Sequence, residues 1–126
     1  MSKCFNNCTS LTSISNNFTN IISVGNWGLQ ECLYNCENLT IGPNLNKITN
    51  VGYYSFESFL GNCKKLEEVT APNISSWDTN NFYYWLYNAG YNVPSGTQKT
   101  VYCPTGVTIP TNDYSGIPNG WVRVDY

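Results

Sequence analysis

Leu29-Gln30-Glu31-Cys32-Leu33-Tyr34-Asn35-Cys36 is answered 27 residues later by Phe56-Glu57-Ser58-Phe59-Leu60-Gly61-Asn62-Cys63, and this pair decides how the chain is read. The same frame opens the chain at Met1-Cys4-Phe5-Cys8 and returns at Phe82-Trp85-Leu86-Ala89. Each copy puts apolar residues at i, i+3, i+4 and i+7, the one-sided stripe of a short amphipathic helix. Position i+6 is asparagine in all four copies, Asn7, Asn35, Asn62 and Asn88. Three residues past the stripe stands Leu11, Leu39 or Leu66 in the first three copies. Agreement at a fixed period of this length marks a repeat architecture.

Each unit therefore predicts a helix of two to three turns closing near the asparagine, which tolerates the left-handed backbone found past a helix end. A short strand is expected next, at Leu11-Thr12-Ser13-Ile14, Leu39-Thr40-Ile41 and Leu66-Glu67-Glu68-Val69, where β-branched residues partly alternate. Polar loops follow, carrying the apolar anchors Phe18, Leu45 or Ile74 and then Val24, Val51 or Trp77, with Pro43 and Pro72 marking the end of regular structure. A unit this short cannot bury its stripe alone. Stacked units can, so the expected fold is an α/β solenoid whose coils pair a short helix with a short parallel strand. The units fall at 1–28, 29–55, 56–81 and a partial 82–89 within one domain of 126 residues. From residue 90 the pattern fails, and 90–126 is expected to form a β-rich C-terminal cap with strands in Gln98–Cys103 and Gly120–Tyr126.

Composition narrows the function. Charged residues are 11% of the chain and the net charge is −2, while Asn, Ser and Thr supply 42 of the 126 residues. A nucleic-acid ligand is excluded on that balance, because such binding rests on Lys and Arg neutralising phosphates. No polybasic segment addresses anionic lipid, and no apolar run approaches the length of a membrane-spanning helix. The first residues show no apolar signal-peptide region. Histidine is absent, which removes Ser-His-Asp and Cys-His nucleophiles and histidine metal sites. Glycine-rich phosphate motifs are missing too. Paired carboxylates are the remaining catalytic option, but Glu67 and Glu68, the nearest pair, point to opposite faces of a strand. The chain reads as a non-enzyme with no catalytic residues, no cofactor and no metal.

The run Cys-Phe-Asn-Asn-Cys-Thr-Ser-Leu-Thr-Ser-Ile, Cys4 to Ile14, echoed from Cys32 and Phe59, resembles the BspA-like leucine-rich repeats. The tail, Asn81-Phe82-Tyr83-Tyr84-Trp85-Leu86 and then Ser115-Gly116-Ile117-Pro118-Asn119-Gly120-Trp121, is similar to the endings of such proteins from gut Bacteroidales and their phages. The resemblance covers essentially the whole chain. It implies leucine-rich-repeat-like coils and a surface, adhesion or virion recognition role without a shared active site. Cys4 and Cys32 depart from it, standing where that pattern often has Met.

Cys8, Cys36 and Cys63 share a column with Ala89, and Cys4 and Cys32 share one with Phe59 and Trp85. Columns that accept Ala, Phe or Trp ask for apolar bulk, which favours free buried thiols. Stacking leaves disulfides open between Cys8 and Cys36 or between Cys36 and Cys63, and leaves open a zinc site on Cys4, Cys8, Cys32 and Cys36. Cys103 has no evident partner.

A neutral polar surface rich in aromatics suits protein or carbohydrate ligands, so the expected function is a recognition or adhesion module working outside the cell, on a surface or on a virion. Tyr34 and Tyr87 share position i+5, away from the stripe, and Tyr83 and Tyr84 lie beside them. These four tyrosines are the candidate ligand-binding residues. The alternative is that cap and loops bury them, and that the chain is a structural terminal segment of a longer virion or surface protein. Met1 already holds a stripe position, so the first coil is expected to expose an apolar end. That end would be covered either by further chain or by a second copy, in a homodimer through the N-terminal coils.

Overall fold

The computed structural model describes residues 2–14 and 18–126. The expected stripe position at Met1 lies outside them. The helix-plus-strand solenoid of leucine-rich-repeat-like coils is corrected by this structure: among the described residues there is no helix, and the regular elements are short parallel strands. The leucine-rich-repeat description falls with it, and the adhesion and phage readings lose the support they drew from that resemblance.

The physical reason lies in the hydrogen bonds of the stripe segments. Within 29–36, the N–H groups of Gln30, Cys32, Tyr34 and Cys36 donate three residues back, to the carbonyls of Trp27, Leu29, Glu31 and Leu33. The alternate N–H groups leave the segment altogether. Leu29, Glu31, Leu33 and Asn35 donate to Ser55, Glu57, Phe59 and Gly61, at 2.8 to 3.0 Å. A helix would keep all of these bonds internal, each reaching four residues back. The backbone instead turns over every fourth residue, with φ of 53° at Trp27, 52° at Glu31 and 60° at Asn35, and of 52°, 51° and 58° at Tyr54, Ser58 and Asn62. Runs of four-residue turns bury i, i+3, i+4 and i+7 as readily as a helix does. Asn, Gly and Ser within the runs are weak helix formers that accept turn conformations.

Strand β1 (Ser23–Val24) pairs in parallel with β3 (Asn50–Val51). A second parallel sheet has the order β2-β4-β5-β6, from Ile41–Asn44, Glu68–Thr70, Thr100–Cys103 and Val122–Asp125. The first expected strand, Leu11–Ile14, contributes only an isolated bridge from Ser13 to Ile41. The second begins at Ile41 and runs through Pro43, placed in sequence as a breaker. Pro43 costs the ladder one donor, and the register shifts between Ile41 and Asn44 to absorb it. Both cap strands lie within the expected stretches.

The stripe side chains meet in one core. Leu29, Cys32, Leu33, Cys36, Phe56, Phe59, Leu60 and Cys63 are all essentially inaccessible. Phe82 stacks on Phe56 with centroids 5.2 Å apart and on Trp77 at 3.6 Å. The cap is bolted on by two indoles: Trp77 Nε1 donates to the Ser115 carbonyl at 2.7 Å and Trp85 Nε1 to the Gly116 carbonyl at 2.8 Å. Gly116 has no substitute there, since a Cβ would lie 1.9 Å from the Pro110 oxygen. The first stripe is less well covered, with Cys4 exposed and Phe5, Cys8 and Leu11 half-buried.

Candidate recognition site

The repeat register places the outward side chains of successive segments above one another, and aromatic rings fill several of these places. Trp27 stacks on Tyr54 at 6.4 Å and meets Tyr53 edge-on at 6.1 Å. Tyr53 and Tyr54 touch at 4.3 Å, and Tyr54 reaches Tyr83 at 6.3 Å. Tyr83 continues to Tyr84 at 4.1 Å, Tyr84 to Tyr87 at 4.9 Å, and both Tyr84 and Tyr87 to Tyr114. The result is one unbroken row of rings. Trp27, Tyr53, Tyr83, Tyr87 and Tyr114 stand exposed along it. Hydrogen bonding with the Tyr53 side chain raises the Tyr54 phenol above its ordinary pKa, and Tyr83 does the same to Tyr84. Tyr54 and Tyr84 thus keep their hydroxyl protons to higher pH than a free phenol.

Of the four tyrosines expected from sequence, the structure joins Tyr83, Tyr84 and Tyr87 in this row. Tyr34 stands apart. Its ring lies across Gly61, where a Cβ would be 2.9 Å from it, and its hydroxyl accepts from Asn62 Nδ2 at 3.0 Å. Glycine at that place in the intervening segment is what separates Tyr34 from Tyr87. Sequence reasoning missed Trp27, Tyr53, Tyr54 and Tyr114. A signal existed for two of them, because Trp27 and Tyr54 both stand two residues before their stripes.

The row ends at a cleft of about 380 Å³ between the fourth stripe segment and the cap. Tyr87, Tyr91, Tyr114 and Trp121 supply its aromatic walls, with Asn88, Lys99, Asp113 and Asn119 among them. Tyr91 is the most open of these, at 76% exposure. Asp113 accepts from the Asn119 N–H at 3.0 Å and from Asn119 Nδ2 at 3.4 Å. Lys99 Nζ sits 5.9 Å over the Trp121 ring, within cation–π range.

Beside the row runs a ladder built by the repeated asparagine. Asn35 Nδ2 donates to Asn7 Oδ1 at 2.9 Å, Asn62 Nδ2 to Asn35 Oδ1 at 3.0 Å, and Asn88 Nδ2 to Asn62 Oδ1 at 3.2 Å. All four asparagines hold φ between 58° and 61°. The left-handed backbone was expected of them. Their bonding to one another was not.

All six cysteines are free thiols. Cys36 Sγ donates to the Phe5 carbonyl at 3.2 Å and Cys63 Sγ to the Leu33 carbonyl at 3.1 Å, so each thiol ties its segment to the one before. Burial, aided by the charge of Cys4, pushes Cys32 up to about 11, and burial pushes Cys103 up to about 11. The Cys36 side chain, with burial, pushes Cys63 far above the ordinary thiol range. Neither proposed disulfide forms. Among the described residues no group of three or more His, Cys, Asp or Glu could hold a metal ion, so the four-cysteine zinc alternative does not assemble.

No protein-family model, no curated protein and no solved structure matches the chain. The resemblance to BspA-like repeats accordingly stands on its quoted residues alone.

Proposed function

We propose that this protein is a non-catalytic recognition module that binds a protein or carbohydrate ligand through the aromatic row. The observation that carries this reading is the continuity of that row, seven rings from Trp27 to Tyr114 on one face. An exposed aromatic surface of this kind is costly to leave in water unless it is used, and aromatic side chains are enriched where proteins make contact. Tyrosine suits both ligand classes, offering an apolar ring to a sugar face or a side chain and a hydroxyl to its polar rim. A homodimer through the first segment belongs to the same proposal, because Phe5, Cys8 and Leu11 are only half-buried; light scattering tests it.

A glycan array and a protein pull-down with the purified chain test the main reading, repeated with Tyr83→Ala and Tyr87→Ala. Binding that both substitutions weaken at least tenfold supports it. Binding indifferent to both places the ligand elsewhere and refutes the assignment.

A further inference from the structure

The cap interrupts a hydrogen-bond pattern, and the interruption leaves a site. In the first three stripe segments, the fifth and seventh residues donate their N–H groups to carbonyls two residues apart in the next segment. Phe5 and Asn7 donate to Cys32 and Tyr34, Leu33 and Asn35 to Phe59 and Gly61, and Leu60 and Asn62 to Trp85 and Tyr87, all at 2.7 to 3.0 Å. In the fourth segment the cap supplies only one substitute acceptor, the Tyr114 carbonyl for Tyr84 N–H. The N–H groups of Leu86 and Asn88 have no acceptor among the described residues, and both residues line the cleft. Asn88 also ends the asparagine ladder. Its Nδ2 is spent on Asn62, while its Oδ1 lacks the amide donor that Asn7, Asn35 and Asn62 each receive.

We infer that this cleft is a binding site for a short peptide of the form x-Leu-x-Asn, laid along the Leu86–Asn88 edge as one more strip of main chain. The inference rests on the recognition reading and specifies its ligand at one end of the aromatic row. Its first ground is the donor spacing. Two N–H groups two residues apart match two main-chain carbonyls two residues apart, as three strips of this protein already show. Its second ground is the free Oδ1 of Asn88, which takes a carboxamide N–H one residue beyond the second carbonyl. The acceptor strips Cys32-Leu33-Tyr34-Asn35, Phe59-Leu60-Gly61-Asn62 and Trp85-Leu86-Tyr87-Asn88 all have this form. The leucine finds an apolar floor in Ala89, Pro118 and Trp121, which line the same cleft. Sugar hydroxyls could accept from either donor, but the two donors and the amide-accepting oxygen are satisfied together by peptide. Asn88 is exposed, so its groups are solvated in the free protein, and the drive comes from making the three bonds together along a preformed edge.

The test is an amide NMR titration of the full chain with the capped peptide acetyl-Phe-Leu-Gly-Asn-amide. Saturable downfield shifts of the Leu86 and Asn88 amides are expected, with a shift of the Trp121 indole. Replacing the peptide's asparagine by leucine should weaken binding about tenfold. Unmoved Leu86 and Asn88 amides at millimolar peptide, or equal affinity for the leucine peptide, would overturn the inference. So would an N-acetylglucosamine trimer that shifts these two amides at lower concentration than the peptide. In each of those cases the recognition reading survives if a ligand still perturbs Tyr83 and Tyr87, and falls if nothing binds the aromatic row.

Discussion

Replacing Asn62 by alanine and by glycine separates two contributions that the ladder combines. Asn62 stands mid-ladder: its Nδ2 donates to Asn35 Oδ1 and to the Tyr34 hydroxyl, each at 3.0 Å, and its Oδ1 accepts from Asn88 at 3.2 Å. At a net value of about 1 kcal/mol per hydrogen bond, losing all three costs roughly 2 to 3 kcal/mol, the low end applying where water replaces a partner. Its φ of 58° adds a second cost, felt by alanine and not by glycine, of about 1 kcal/mol. Asn62→Gly should therefore lower stability by about 2 to 3 kcal/mol and Asn62→Ala by about 3 to 4 kcal/mol. Urea unfolding followed by tryptophan fluorescence measures both, and the m-value should stay constant if only the native state is affected. Stability changes below about 0.5 kcal/mol in both variants would show that the ladder contributes nothing beyond solvent bonding. Glycine as damaging as alanine would show that the left-handed backbone carries no weight.

Gly116→Ala should cost about 3 kcal/mol or detach the cap, because the new Cβ meets main-chain oxygen of Pro110; loss of the near-ultraviolet signal of Trp85 and Trp121 would report it, and an unchanged spectrum and midpoint would refute the packing described. Gly61→Ala drives the Tyr34 ring off its seat, so the ring should gain mobility and stability should fall by about 1 to 2 kcal/mol, checked by aromatic NMR linewidths and urea titration. Cys32 and Cys103 titrate near 11 when folded against 9.0 unfolded, so the unfolded state loses these protons first as pH rises. Their share of the stability is whole below about pH 9 and disappears progressively between pH 9 and 11; thermal midpoints flat across that window would contradict it. Hydrogen exchange should be faster at the Leu86 and Asn88 amides than at Leu60 and Asn62, whose N–H groups are accepted at 2.8 Å, and equal protection would mean that the cap closes over them.

Much of the core was legible in the sequence, and its backbone was not. Stripe residues such as Cys32, Leu33, Phe59 and Leu60 are buried because the 3-and-4 spacing names the inward positions whichever backbone carries them. The same spacing is silent on whether N–H groups close within the segment or cross to the next, and here alternate ones cross, which removed the helices. The asparagine column announced left-handed residues, but Glu31, Tyr54, Ser58 and Tyr84 adopt them without any compositional sign. Tyr83, Tyr84 and Tyr87 were singled out from position alone, and their rings lie in contact. Tyr114 and Trp121 come to the site through the cap, whose path no period describes, and the orphaned donors of Leu86 and Asn88 became visible only once that path was known.

The bonds between segments join residues 25 to 27 positions apart, from Lys3–Gln30 through Asn62–Tyr87, and this sets how the chain must reach its native state. A helical stripe could form on its own within microseconds and dock later. A stripe of this kind has no such rehearsal, because half of its N–H groups find acceptors only after a neighbouring segment is in place. Closing a loop of that length costs about 3 kcal/mol of chain entropy before the first bond returns anything. The first pair of segments to meet is then the slow event, and each further segment adds to a template already formed. Acquisition of structure should be slow for a chain of 126 residues, and the pair richest in aromatic contacts, the third and fourth segments joined by Phe56, Phe82 and Trp85, is the natural place for it to begin.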